Sequence, residues 1–148
     1  MYNGNETASL YLDDQPADDS YSSRKPKLLI VDDSATIRAT LSRAVGDEFD
    51  SLEATNGEEA LQLLIDDLEI DLVVTDLAMP RMDGYDLIKQ MRAHDSSRLI
   101  NMPVIVVTGA NDTAAREKAF IAGANDFIAK TSDHVEFLAR VRAHVKLA

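Results

Sequence analysis

The feature that most constrains the fold of this chain is a strict alternation that begins at Lys27. Short apolar runs, rich in β-branched residues, take turns with longer stretches whose apolar residues recur at helical spacing. The runs are KLLIV (27–31), SLEAT (51–55), DLVVT (71–75), PVIVVT (103–108) and DFIAK (126–130). Between them, SATIRATLSRAV carries Ile37, Leu41, Ala44 and Val45, and NGEEALQLLIDDL carries Leu61, Leu64, Ile65 and Leu68. YDLIKQMR groups Leu87, Ile88 and Met91, while DTAAREKAFIAG has a thin apolar face ended by Gly123. The last stretch, 133–148, places Leu138, Val141 and Val145 inward. Asn56 is placed to cap the second helix, with Glu59 three residues on. Five strands and five helices in alternation imply a parallel sheet covered on both faces. Right-handed crossovers then give a three-layer, doubly wound α/β sandwich.

Residues 1–26 differ in kind. MYNGNETASLYLDDQPADDSYSSRKP is polar and acidic, with Leu10, Tyr11 and Leu12 as its one apolar cluster. It is expected to be a disordered arm, with 27–148 as the folded domain; the rival reading has Leu10–Leu12 dock on a partner. Of the 148 residues, 45% are hydrophobic, enough for one domain with a proper core. The net charge of −11, without any run of five basic residues, argues against direct binding to nucleic acid or anionic membrane. There are no cysteines, which excludes disulfides and a cysteine zinc site. No apolar stretch approaches a membrane span, so the expected location is the cytoplasm.

In a sandwich of this kind, ligands sit beyond the carboxyl ends of the strands, where strand order reverses. Asp32 and Asp33 follow the first run, and Asp76 follows the third. Thr108 ends the fourth and Lys130 the fifth. Alone, each has an ordinary explanation. Asp32 and Asp33 can cap the helix starting near Ser34, Asp76 can be a turn residue before Pro80, and Lys130 a solvated lysine. Phe127, Met79 and Met82 read as packing, and His94, His134 and His144 as unpaired surface residues. Together the rim residues read differently. Two unit charges about 4 Å apart interact by about 4 kcal/mol at an effective dielectric near 20, against a domain stability of roughly 5–15 kcal/mol. Three carboxylates in one crevice therefore need counter-charge. Lys130 supplies some, and Mg²⁺, which favours one or two carboxylates plus water and phosphate, suits the rest. Such a cluster can run phosphoryl transfer, with a carboxylate oxygen as nucleophile. Asp76 is the candidate nucleophile, because it ends a central strand, and the loop with Pro80 and Gly84 would fix the backbone after it.

The segments IVDDSATIR, VVTDLAMPRMDG, VVTG and NDFIAK, in that order, resemble the receiver domain of two-component response regulators over Lys27 to about Lys146. The resemblance implies the flavodoxin-like receiver fold, with strand order 2-1-3-4-5. It implies that Asp76 accepts a phosphoryl group from a histidine of a sensor kinase or histidine phosphotransfer protein, so that the domain is a regulatory phosphoacceptor rather than an enzyme. Asp33, Asp76 and the backbone carbonyl of Ala78 would hold Mg²⁺, with Asp32 acting through water. Lys130 would pair with the phosphate and Thr108 would donate its hydroxyl to it. Phe127 corresponds to the aromatic switch residue. The small side chains of Ala78 and Ala110 would leave room for water near the phosphate. The expected output face is the fourth helix, fifth strand and fifth helix, and the thinly apolar helix 112–122 is the expected moving element.

On that face Lys118, Asp126, Glu136 and Arg140 resemble the charges through which some DNA-binding regulators pair, implying a homodimer on phosphorylation; a solvated surface is the competing reading. FLARVRAHVKLA resembles a junction to an output domain such as a diguanylate cyclase, with a single-domain regulator an equal alternative. The family commonly has proline after the lysine, where this chain has Thr131. A trans bond and an altered loop beside Lys130 are therefore expected. The alternative function is a receiver-like binding module that takes no phosphate. A phosphatase reading lacks a cap insertion, and a flavin-binding reading lacks a Ser/Thr/Gly-rich loop after the first strand.

Overall fold

The computed structural model of the protein describes residues 24–109 and 112–146. Its strands are β1 (Lys27–Val31), β2 (Asp50–Ala54), β3 (Ile70–Thr75), β4 (Val104–Thr108) and β5 (Asp126–Ala129). They form one sheet in the order β2-β1-β3-β4-β5, every pairing parallel. The helices are α1 (Ala35–Val45), α2 (Gly57–Asp66), α3 (Gly84–Arg92), α4 (Ser97–Asn101), α5 (Thr113–Ala122) and α6 (His134–Lys146). The expected architecture and strand order are both present.

The strand runs look uniformly apolar in sequence, yet they divide by a period of two. Leu29, Val31, Val73, Val104, Val106 and Phe127 join a core with Leu64 of α2, Leu87, Ile88 and Met91 of α3, and Ala119 of α5. Leu28, Leu72, Val74, Ile105, Val107 and Ile128 join the opposite core with Val45 of α1 and Phe137 and Val141 of α6. Both faces are therefore covered, as a parallel sheet requires.

Every helix start but that of α4 has a side-chain oxygen for its unpaired N–H groups. Ser34 caps α1, Asn56 caps α2, Asp83 caps α3 and Asp112 caps α5. The Glu59 carboxylate also reaches back, to the Thr55 N–H at 2.7 Å. The buried side of α2 differs from the sequence expectation. Ile65 is 44% exposed and Leu68 72%. The helix buries Ala60 and Leu64 instead, and Leu68 lies past its C-cap, Asp67. In α6, Phe137 and Val141 are buried while Leu138 and Val145 are only partly so.

The five-residue helix α4 was not expected. It is held by Arg92, whose guanidinium donates to the Leu99 and Ile100 carbonyls at 3.0 and 3.1 Å, to the Gly123 carbonyl, and to Asn125 Oδ1. α5 is anchored as thinly as its sequence suggests, with Ala119 its one buried residue. Residues 1–23 of the expected arm lie outside the described residues, as does Ala110. The Pro26 carbonyl accepts from the Asp50 N–H at 3.0 Å, so backbone pairing starts there.

Candidate functional site

Parallel strands present their carboxyl ends on one rim, and the register decides which residues meet there. Val31 of β1 pairs with Thr75 of β3, so Asp32 and Asp76 emerge side by side. Thr108 pairs with Ala129, which places Lys130 one step beyond. The ladder continues into these residues. The Asp76 N–H donates to the Val31 carbonyl, the Asp32 N–H to that of Ala54, and the Lys130 N–H to that of Thr108, all at 3.0–3.1 Å. The reactive side chains thus stand on backbone as rigid as the sheet itself.

Asp32 is 1% exposed and Asp76 6%, while Asp33 faces solvent. One oxygen from each of the three carboxylates lies within 4.8 Å of the others. Lys130 Nζ bridges Asp76 Oδ2 at 2.9 Å and Asp32 Oδ2 at 3.1 Å. The remaining oxygens take backbone donors: the Leu77 N–H gives to Asp76 Oδ1 at 2.7 Å, and the Ser34 N–H to Asp32 Oδ1 at 2.9 Å. Burial, reinforced by the neighbouring Asp76 charge, pushes the Asp32 carboxyl above its ordinary pKa despite the Ser34 and Lys130 hydrogen bonds. For Lys130, burial works downward, but its bonds to Asp76 and Asp32 outweigh it and hold the ammonium above its ordinary value.

The loop after Asp76 explains why the sequence is so particular there. The Gly84 N–H donates to the Leu77 carbonyl at 2.9 Å. A Cβ on Gly84 would stand 2.1 Å from the Asp76 carbonyl oxygen, so a side chain cannot occupy the first residue of α3. Arg81 adopts a φ of 68°, and the Met82 carbonyl accepts from the Gly57 N–H at 2.8 Å, tying the loop to the start of α2.

The sequence reading placed Asp32, Asp33, Asp76 and Lys130 at one rim, and they meet there. Ser34, rather than either aspartate, caps α1. Thr108 is buried at the end of β4, and Phe127 is buried on the α2–α3–α5 side with the Arg116 guanidinium 5.8 Å from its ring centre. Ala78 is exposed two residues past Asp76. No peptide bond among the described residues is cis, so Lys130–Thr131 is trans as expected. The turn closes through the Ser132 N–H and the Ala129 carbonyl, with Lys130 in reach of both carboxylates.

Of the outer charges, Arg140 bridges Asp126 at 2.6 Å and Glu136 at 3.2 Å, while Lys118 stands 4.2 Å over the Tyr85 ring. His144 was read as unpaired and is not: its Nε2 lies 3.0 Å from Asp126 Oδ2. His94 Nδ1 likewise accepts from the Ser96 N–H. Helical periodicity fixes the face of a side chain but not its partner on another element. Arg38 was missed as well. Its Nη1 donates to the Asp32 carbonyl at 2.7 Å and its Nε to Glu53 at 2.8 Å. Its position one turn past the Ser34 cap was the available signal.

A hard cation fits this donor set. Mg²⁺ holds oxygens at about 2.0–2.1 Å in an octahedron, so two oxygens on one ion lie about 3–4 Å apart. The carboxylate oxygens need to close by only about 1 Å from their present spacing, and all are hard oxygen donors.

Comparison with known proteins agrees with this geometry. Residues 28–142 match the family described as the response regulator receiver domain. The chain is 36% identical over 118 residues to the response regulator MprA of Mycolicibacterium vanbaalenii, covering 79% of this chain and 49% of that protein. The chain thus spans about half the length of that relative. It is 41% identical over 108 residues to a chemotaxis protein CheY homolog of Campylobacter jejuni, covering 70% of this chain and 80% of that one. Among solved structures it resembles a chain of the CheX-CheY-BeF3-Mg+2 complex from Borrelia burgdorferi, with a TM-score of 0.74 and 28% identity, over 84% of this chain and 92% of that one.

Proposed function

The chain belongs to the response regulator receiver domain family, and from that premise we propose that Asp76 accepts a phosphoryl group from the phosphohistidine of a sensor kinase or phosphotransfer protein. The observation that carries the reading is the arrangement around Asp76. It is a nearly buried carboxylate on a strand end, with Lys130 at 2.9 Å and two further carboxylates within 4.8 Å. A Borrelia relative of the same fold has been solved in a complex with BeF3 and Mg, which supports Mg²⁺ for this cluster too.

In the step we propose, an oxygen of Asp76 bonds to phosphorus as the phosphorus–nitrogen bond of the donor breaks, and the imidazole nitrogen keeps that electron pair. Asp33, Asp76 and the Ala78 carbonyl would hold Mg²⁺, with Asp32 acting through water. Bound there, the ion supplies charge neutralisation for the phosphoryl oxygens. The Leu77 N–H orients Asp76 so that its carboxylate faces the crevice. Lys130 moves from the carboxylate to the incoming phosphoryl group, and Thr108 donates to it. The product adds about −1.5 to −2 charges and draws the end of β4 inward. We place the read-out on α5, β5 and α6, with Phe127 following Thr108, because α5 buries so little and is the cheapest element to move. Lys118, Asp126, Glu136 and Arg140 are the charges that would pair two copies there. An output domain in a longer chain would read the same face.

The test is incubation of the protein with Mg²⁺ and an acyl phosphate, read by intact mass. One labile phosphoryl group is expected on the wild type and none on Asp76→Asn. A wild type that takes up nothing under these conditions, and gives no response to beryllofluoride, would point instead to a binding module.

A further inference from the structure

Seven of the fifteen lysines and arginines of this acidic protein are tied to carboxylates. Arg24, Lys27, Arg38, Arg81, Lys130, Arg140 and Arg142 all have such partners. Three that do not, among the described residues, gather on one open groove between α3 and α5. Lys89, Arg92 and Lys118 line it together with Ala93, Ile121 and Ala122. Ile121, 82% exposed, shares the lining of this groove with the three cations. Arg92 spends its hydrogen bonds on backbone carbonyls and Asn125, which leaves its charge without an anion.

The complement of this groove lies in the same chain. Residues 1–23 contain Glu6, Asp13, Asp14, Asp18 and Asp19, and no lysine or arginine. Their one apolar cluster, Leu10-Tyr11-Leu12, runs directly into Asp13 and Asp14. We propose that this N-terminal arm docks across the α3–α5 groove, with Leu10–Leu12 on Ile121 and Asp13 and Asp14 facing Lys89, Arg92 and Lys118.

The geometry permits it. Helices in a parallel α/β fold run back against the strands. The last turns of α3 and α5, which hold Arg92, Ile121 and Ala122, therefore lie at the end of the sheet where β1 begins and the arm joins. β1 and β4 are separated by β3 alone, about 10 Å, and a helix layer adds about 10 Å more. The segment from Leu12 to Arg24 has a root-mean-square reach of roughly 19 Å as a flexible chain. That match gives an effective concentration in roughly the millimolar range, so a groove of only millimolar intrinsic affinity is substantially filled. Docking would also cover Lys118 and brace α5, which buries Ala119 alone.

The chain has no tryptophan, so Tyr11→Trp in the full 148-residue protein is a single reporter. Its emission should be blue-shifted relative to the same protein carrying Ile121→Glu or Lys89→Glu with Lys118→Glu. These positions are exposed, and far-UV circular dichroism checks that the variants fold. The shift should persist on hundredfold dilution and diminish at about 1 M salt, where the Debye length falls to about 3 Å. Without the reporter, Leu10→Ser with Leu12→Ser should move the amide resonances of Ala93, Ile121 and Ala122. Solvent-like emission in the starting protein overturns the proposal. So does a blue shift that both groove variants leave unchanged, which places the arm elsewhere. A blue shift lost on dilution overturns it in favour of a second copy in the groove.

Discussion

Asp32 and Asp126 stand at opposite ends of the sheet, one just past the end of β1 and the other at the start of β5. Both are largely withdrawn from water, and in both burial pushes the carboxyl pKa upward. The outcomes are opposite. Asp32 shares a single lysine with Asp76, feels the charge of Asp76, and ends above its ordinary value. Asp126 accepts from His144, from Arg140, which it shares with Glu136, and from the Phe127 N–H, and these overcome burial and hold it below its ordinary value. Burial is common to the two sites, so what separates them is the number of hydrogen-bond donors each carboxylate has and the second carboxylate charge that stands beside Asp32. At β5 the charges close on one another and the site holds elements together. At the rim, three carboxylates face one ammonium, and the shortfall of positive charge is what a dication and a phosphoryl group would meet.

The sharpest way to break this contrast is to remove one rim carboxylate. Asp76→Asn should abolish phosphoryl uptake completely, read by intact mass after acyl phosphate and Mg²⁺. The same change should raise the melting temperature of the metal-free protein by a few degrees, about 1–2 kcal/mol, because like charges about 4 Å apart repel strongly at low effective dielectric. A metal-free variant that melts lower would mean that the Lys130–Asp76 pair outweighs the crowding, and the rim would then resemble the β5 site. Next in size, Mg²⁺ at ten times its dissociation constant should stabilise the wild type by about 1.4 kcal/mol. Differential scanning fluorimetry reads this, and the increment should shrink in Asp76→Asn. An unmoved transition at millimolar Mg²⁺ would remove the metal from the account.

The two regions were not equally legible in sequence. The rim was, because each of its residues directly follows an apolar run and a parallel sheet brings all such positions to one edge. Topology made the contact, and no knowledge of side-chain direction was needed. The cluster around Asp126 was only half visible. Arg140 and Glu136 are one turn apart on α6, but the approach of His144 to a residue on β5 depends on how α6 lies across the sheet. The same limit explains Ile65 and Leu68. They share an apolar stripe with Leu64, yet α2 turns Ala60 and Leu64 inward and ends at Asp66. Arg92, which joins α3, α4 and the start of β5 through carbonyls alone, left no pattern to find.

The β5 site supplies two smaller tests. Asp126→Asn should cost about 1–2 kcal/mol at pH 7, since hydrogen bonds to a charged group are lost from a site that solvent partly screens. The sign of its pH dependence follows from the depressed pKa. The stability that Asp126 lends is fully present above its unfolded value near 3.8 and is lost as pH falls through the folded value, so wild type and variant should converge below that point. Thermal melts from pH 7 down to pH 3 read the difference. His144→Ala should cost less, about 0.5 kcal/mol, because Arg140 at 2.6 Å and the Phe127 N–H at 2.9 Å still satisfy the carboxylate. In an Arg140→Ala background the same change should cost more, since the histidine is then the one side chain left to Asp126; a double-mutant cycle measures that coupling. A His144→Ala effect as large as that of Asp126→Asn, with no coupling to Arg140, would show that the imidazole stabilises α6 by packing, and that the number of hydrogen-bond partners does not set the behaviour of this carboxylate.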